Sequence, residues 1–141
     1  MRFFGTDERS VDEKGRISLP AKMRKALSDE VVVVPGFDNA LYVFEEDAFL
    51  NWLDSFFPET EGGYDPRKRK HIELRAALTR SAEMVKIDAA GRIKVPLKQL
   101  AKASIEKDVT VTGNDDHIEL WDSRAFKEHD NSFSIDDLLE N

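Results

Sequence analysis

The chain repeats itself. Val11-Asp12-Glu13-Lys14-Gly15-Arg16-Ile17-Ser18-Leu19-Pro20-Ala21-Lys22 returns as Ile87-Asp88-Ala89-Ala90-Gly91-Arg92-Ile93-Lys94-Val95-Pro96-Leu97-Lys98, with Asp, Gly, Arg, Ile, Pro and Lys identical at matching places. The likeness continues downstream. Val109-Thr110-Val111 follows as Val32-Val33-Val34 did, Gly113-Asn114-Asp115-Asp116 matches the turn Gly36-Phe37-Asp38-Asn39, Ile118-Glu119-Leu120-Trp121 matches Leu41-Tyr42-Val43-Phe44, and Ala125-Phe126 matches Ala48-Phe49. One inserted residue accounts for the drift. A unit of roughly 45 residues buries too little apolar surface to stand alone. The pattern therefore predicts an α+β fold of two tandem βαββα units, joined by an extra helix and interlocked around one pseudo-two-fold axis.

Local signals fill in the units. Ser10-Val11-Asp12 leads into a turn at Glu13-Lys14-Gly15, and Arg16-Ile17-Ser18-Leu19 alternates as a half-buried strand does. Pro20 opens a short helix over 21–27. Val31 to Val34 and Leu41 to Phe44 read as partner strands around turn residues. A helix is expected over 45–56, with acids in its first turn and Trp52 on its apolar face. Asp65-Pro66 reads as the start of a helix that runs to about Ser81. These signals divide the chain into a first module (5–50), linking helices and loop (51–80), a second module (81–126) and an acidic tail (127–141). The tail reads as frayed, and its Phe133, Ile135, Leu138 and Leu139 otherwise suit docking on a neighbour.

Composition narrows the function. The 141 residues include 21 basic and 28 acidic groups, a net charge of −7, and no cysteine. Disulfides, thiolate metal sites and a cysteine nucleophile are thereby excluded, and a reducing cytoplasm is expected. The opening segment becomes charged too early for a signal peptide. The charge is uneven: residues 1–27 hold seven basic and four acidic groups, whereas the rest holds 14 and 24. Exposed charges are screened beyond about 8–10 Å, so a local basic face survives an acidic average.

The repeated element is Asp-x-x-Gly-Arg-x-x-x-Pro. Gly15 and Gly91 allow a positive φ in a tight turn, and Asp12 and Asp88 can bond the turn's own amides. One reading is a hairpin turn whose Asp and Arg pair with each other. The other is a turn that lifts Arg16 towards a phosphate or a guanine edge, both suited to a rigid guanidinium fork. The neighbours favour the second. Arg9 precedes the motif, Lys14 sits in its turn, and Arg24 and Lys25 follow, whereas the second copy has Ala90, Leu100 and Ala101 at the last three places. The first copy therefore reads as the nucleic-acid face and the second as scaffold. Residues 67–75 form a further stretch of charge +4, either a solvated helix face or an auxiliary contact for phosphate or an acidic partner. A metal-dependent hydrolase would draw on Asp115, Asp116 and His117, but these align with a turn, and no phosphate loop or nucleophile elbow is present. No cofactor is indicated.

The stretch from Val11 to Pro20, followed by Arg24-Lys25, resembles the DNA-binding half of AbrB-type regulators. Two such modules behind Phe4-Gly5-Thr6 resemble the MraZ family, with Asp12 and Arg16 matched by Asp88 and Arg92. The resemblance covers nearly the whole chain. It implies a double-split, swapped-hairpin β-barrel whose halves form an intramolecular pseudo-dimer. It implies a ring homo-oligomer, commonly an octamer. It further implies a cytoplasmic, nucleoid-associated transcriptional regulator, usually a repressor, that binds short direct repeats of double-stranded DNA upstream of its own division and cell-wall gene cluster. DNA contact then falls on Arg16, supported by Arg9, Lys14, Arg24 and Lys25. Arg92 matches the motif in less basic surroundings. An AbrB-like antitoxin and a purely structural ring are the competing readings.

Overall fold

The computed structural model of the chain describes residues 2–140. The first copy supplies strands β1 (Thr6–Ser10) and β2 (Arg16–Ser18), helix α1 (Ala21–Arg24), strands β3 (Glu30–Pro35) and β4 (Leu41–Phe44), and helix α2 (Glu46–Asp54). Helix α3 (Arg69–Ser81) links the copies. The second copy supplies β5 (Glu83–Lys86), β6 (Arg92–Lys94), α4 (Leu97–Lys102), β7 (Asp108–Asn114), β8 (His117–Asp122) and α5 (Ser123–Asp130), and α6 (Ile135–Leu139) follows. The fold is mixed α+β with antiparallel sheets.

Each copy opens with one more strand than the βαββα pattern contains. β1 reads Thr-Asp-Glu-Arg-Ser, which has no apolar alternation to announce it. Its backbone holds it instead: all five residues pair with β7, from Thr6 opposite Thr112 to Ser10 opposite Asp108.

Six strands form one sheet in the order β1-β7-β8-β4-β3-β5, and β2 and β6 form a separate two-stranded ribbon. The copies exchange strands. β1 of the first pairs with β7 of the second, and β5 of the second pairs with β3 of the first. Neither copy completes its sheet alone, so each depends on the other to bury its core. The near-symmetry axis passes where Ile17 faces Ile93 in the ribbon and where Tyr42 faces Glu119 between β4 and β8.

Strand pairing corrects the alignment of the two copies. Arg9 lies opposite Val109, and its motif equivalent Val85 lies opposite Val31. Val31 and Val33, rather than Val32 and Val34, therefore stand where Val109 and Val111 stand. Burial agrees: Val31, Val33, Val109 and Val111 share one core, whereas Val32 and Val34 face another. Four consecutive valines hide the alternation, while the second copy shows it through Thr110.

The six-stranded sheet has a core on each side. On the inner side Ile17 and Ile93 from the ribbon meet Val31, Val33, Leu41, Val43, Val109, Val111, Ile118 and Leu120, closed by Met23 and Leu100 of α1 and α4. On the outer side Val34, Phe44, Phe49, Leu53 and Trp121 pack beneath α2, α5 and the C-terminal end of α3.

Three helices differ from their sequence expectation. α1 ends at Arg24 and continues only as turns, with the Ala26 and Leu27 amides bonding to Met23 and Arg24. α3 starts at Arg69, because Asp65 and Pro66 form a turn first: the Asp65 carboxylate accepts from the Arg67 amide, and the Asp65 amide donates to His71 Nδ1. The tail is not frayed at Ile135–Leu139. Ser134 accepts from the Asp137 amide and the Asp137 carboxylate accepts from the Ser134 amide, a reciprocal cap that nucleates α6. No helix among the described residues is long and apolar enough to cross a membrane.

Candidate nucleic-acid interface

The two motif turns are built alike. Asp12 Oδ1 accepts from the Lys14 and Arg16 amides, each at 2.9 Å, and Asp12 Oδ2 accepts from Arg16 Nε at 2.6 Å. In the second turn Asp88 Oδ1 accepts from the Ala90 and Arg92 amides at 2.9 Å, and Oδ2 from Arg92 Nε at 3.0 Å. The Arg16 amide, with the further bonds, lowers the Asp12 pKa to about 2, and the Arg92 amide lowers Asp88 in the same direction. Both carboxylates are thus ionised under all ordinary conditions, and the Asp–Arg pairing expected of a structural hairpin exists in both copies. It leaves chemistry over, however. Of each guanidinium the Asp engages only Nε, and among the described residues neither terminal nitrogen of Arg16 or Arg92 has a protein partner. The Asp aims the fork without consuming it.

Gly15 and Gly91 hold φ of +81° and +79°, and each sits beneath the other copy's short helix. A Cβ on Gly15 would lie 3.0 Å from the Val95 carbonyl oxygen and against Leu97 and Leu100 of α4; a Cβ on Gly91 would strike Arg24 of α1. The Gly15 carbonyl accepts from the Val95 amide and the Gly91 carbonyl from the Leu19 amide. Each turn is therefore locked by the opposite copy.

This lock fixes a charged surface. Ile17 and Ile93 face the core with no exposed area, so their neighbours project from the ribbon's other face. Arg16 lies opposite Lys94, and Ser18 opposite Arg92. Three of these four outward positions are cationic. Directly opposed like charges oppose strand pairing, so packing alone does not account for the arrangement. Lys14 extends the face at the first turn. Arg24 donates from Nη1 to the Ala90 carbonyl at 3.2 Å and covers the second turn, with exposed Lys25 beside it at the end of α1.

The expected residues are brought together unevenly. Asp12, Lys14, Gly15, Arg16, Asp88, Gly91, Arg92, Arg24 and Lys25 belong to the ribbon, its turns and the helix over them. Arg9 sits on β1 of the large sheet, its Nη1 donating to the Glu8 carbonyl at 2.9 Å. Arg92 and Lys94 of the second copy, read from the sequence as scaffold, share the ribbon face with Arg16. Sequence reasoning missed Lys94. Antiparallel self-pairing of the repeated strand about its central isoleucine would have set it opposite Arg16. The 67–75 stretch starts a helix whose C-terminal Leu78 packs on the opposite side of the large sheet.

Asp115, Asp116 and His117 are engaged elsewhere. Asp115 pairs with Arg2. His117 is buried against the Tyr42 and Phe44 rings, with Nδ1 at 2.8 Å from Asp116 Oδ1 and Nε2 at 2.9 Å from Glu119 Oε2. Asn114 and Trp121 donate to the same Glu119. Burial pulls the His117 pKa down, but its bonds to Glu119 and Asp116 outweigh burial and leave it raised above 6.5. Burial pushes Glu119 up, but its three donors outweigh this and leave it below 4.5. A raised histidine contributes stability in full below 6.5 and loses it as pH climbs through its folded value. A lowered glutamate contributes above 4.5 and loses it as pH falls. The pair thus stabilises most between pH 4.5 and 6.5. The thermal midpoint should fall as pH is raised from about 6 to about 9, and His117→Gln should flatten that fall. Calorimetry giving the same slope for both proteins would contradict the assignment.

Two strand-exchanging modules in one chain, presenting one basic ribbon, define a tandem two-module protein. A family model described as "MraZ protein, putative antitoxin-like" matches residues 2–60 and 78–138. The chain belongs to the MraZ family. Proteins named Transcriptional regulator MraZ are similar to it over nearly their whole length. That of Mycoplasmoides gallisepticum is 33% identical over 126 residues, covering 89% of this chain and 85% of that protein. That of Mesoplasma florum is 35% identical over 149 residues, covering 99% and 94%. That of Corynebacterium urealyticum is 34% identical over 134 residues, covering 95% and 90%.

Proposed function

We propose that this protein is a transcriptional regulator that binds double-stranded DNA through the β2–β6 ribbon, with Arg16, Lys94 and Arg92 as its central contacts and Lys14 and Lys25 beside them. The observation that carries the reading is the pairing of Arg16 with Lys94 on an exposed strand face, next to an arginine aimed by Asp88. A two-stranded ribbon is a size the major groove admits, and a guanidinium with free terminal nitrogens can take a guanine edge in two hydrogen bonds. Lysines without acidic partners suit phosphates. Arg24 supports the second turn, and Arg9 lies at the margin.

The finer account follows the family resemblance. The ribbon and large sheet form a split, swapped-hairpin barrel, with modules at 5–50 and 81–126, a linking segment at 51–80 and a tail from 127. Copies assemble into a closed ring, commonly an octamer, that engages short direct repeats upstream of its own division and cell-wall gene cluster in the cytoplasm and represses it. One small basic ribbon binds weakly; several at fixed spacing engage repeated sites together, and avidity multiplies modest contacts.

The test is fluorescence anisotropy with the DNA upstream of the protein's own gene, against a scrambled duplex of equal length. The upstream DNA should bind at least about 100-fold more tightly, a modest ratio for a specific binder. Equal affinity for the two duplexes would overturn the reading.

A further inference from the structure

Two surfaces remain that the DNA face does not use, and they are opposite in charge. Residues 128–140 carry five carboxylates, Glu128, Asp130, Asp136, Asp137 and Glu140, with no lysine or arginine. Within them α6 leaves Ile135, Leu138 and Leu139 exposed at 74%, 61% and 77%. At the other surface α3 contains no buried residue, and its first turn has no acid. Arg67, Lys68, Arg69 and Lys70 are all exposed there, beside exposed Ile72. Cations at a helix start oppose the helix dipole. An acidic partner removes that opposition, and an apolar one covers Ile72.

The fold keeps these surfaces apart within one chain. α5, which leads into the tail, packs over β7 and β8, whereas α3 packs over β3, with α2 over β3 and β4 between them. Within one chain they do not cover each other, since Ile135, Leu138 and Leu139 of α6 and Ile72 of α3 are all exposed. A second copy set alongside can bring its α3 to the first copy's tail. Such a contact joins two different patches, so it repeats from copy to copy and closes into a ring where the rotation allows.

We infer that α6 of one copy docks on the N-terminal half of α3 of the next, Leu138 and Leu139 covering Ile72 while Asp136 and Glu140 face Lys68 and Lys70. The inference rests on the ring reading and supplies its joint.

The native chain has no cysteine, so two introduced thiols report on the joint without background. The variant Ile72→Cys/Leu138→Cys, treated with a mild oxidant and run on a non-reducing gel, should give a ladder of covalent dimers, trimers and higher species. Each single variant should remain a monomer on the same gel. A double variant that stays monomeric, unreacted or bridged within one chain, overturns the docking, as do single variants that dimerise. In parallel, Lys68→Glu/Lys70→Glu should reduce the particle mass in light scattering, and adding Asp136→Lys/Glu140→Lys should restore it. Light scattering of the unmodified protein separates the two claims. Ring-sized particles without a ladder reject this joint and leave the ring intact; monomers throughout reject both.

Discussion

Arg16→Ala removes the preference for operator DNA and leaves the folded assembly intact. The expectation follows from how Asp12 is satisfied. Two of its three bonds come from the Lys14 and Arg16 amides, which the substitution keeps. Gly15 remains clamped under α4, and Ile17 remains in the core. Only the Nε bond and the outward fork are lost. A bidentate contact to guanine carries about 1–3 kcal/mol of discrimination, or about 5- to 150-fold per engaged copy. Two engaged copies multiply that loss, which brings a specific complex to the level of non-specific binding. Arg16→Lys does not rescue it, because an ammonium retains the charge but neither the fork nor the Nε bond that orients it. Anisotropy titrations with light scattering on the same samples check both halves. Full operator preference in Arg16→Ala would make the Asp12–Arg16 pair purely structural.

Much of this architecture is legible in the sequence, for identifiable reasons. The duplication announces itself because both turns need the same residues: a carboxylate to bond two amides, a glycine at positive φ, and a proline to start the next helix. The paired isoleucines are legible as alternation. β1 is not, because an edge strand held by backbone pairing needs no apolar side chains. The register of β3 is not, because four valines look the same from either face. The start of α3 is misplaced because Asp65 bonds the Arg67 amide in a turn before the helix, and α6 is missed because its stability rests on a reciprocal cap rather than on burial.

The candidate site divides in the same way. Arg16 and Arg92 stand out as repeated residues, and Lys14, Arg24 and Lys25 as charges close in sequence. Lys94 does not, because its significance comes from a strand 78 residues away, where it faces Arg16. Nor does the commitment of Arg24 to the opposite turn, which depends on strand exchange. Lateral charge counting favoured the first copy; pairing distributes the face across both.

That composite face is the central claim, and Lys94 tests it, since nothing else recommends the residue. Lys94 is exposed and without an ion-pair partner among the described residues, so Lys94→Gln removes the charge, keeps a polar side chain and disturbs no packing. Each phosphate contact contributes about 0.9 to the slope of log affinity against log salt on duplex DNA. The most direct measurement is therefore the salt dependence of operator binding for Lys94→Gln beside the unmodified protein. The composite face predicts weaker binding and a slope shallower by about 0.9 for every copy engaged on the DNA. An unchanged slope and affinity would contradict it, and would remove Lys94 from the contact face.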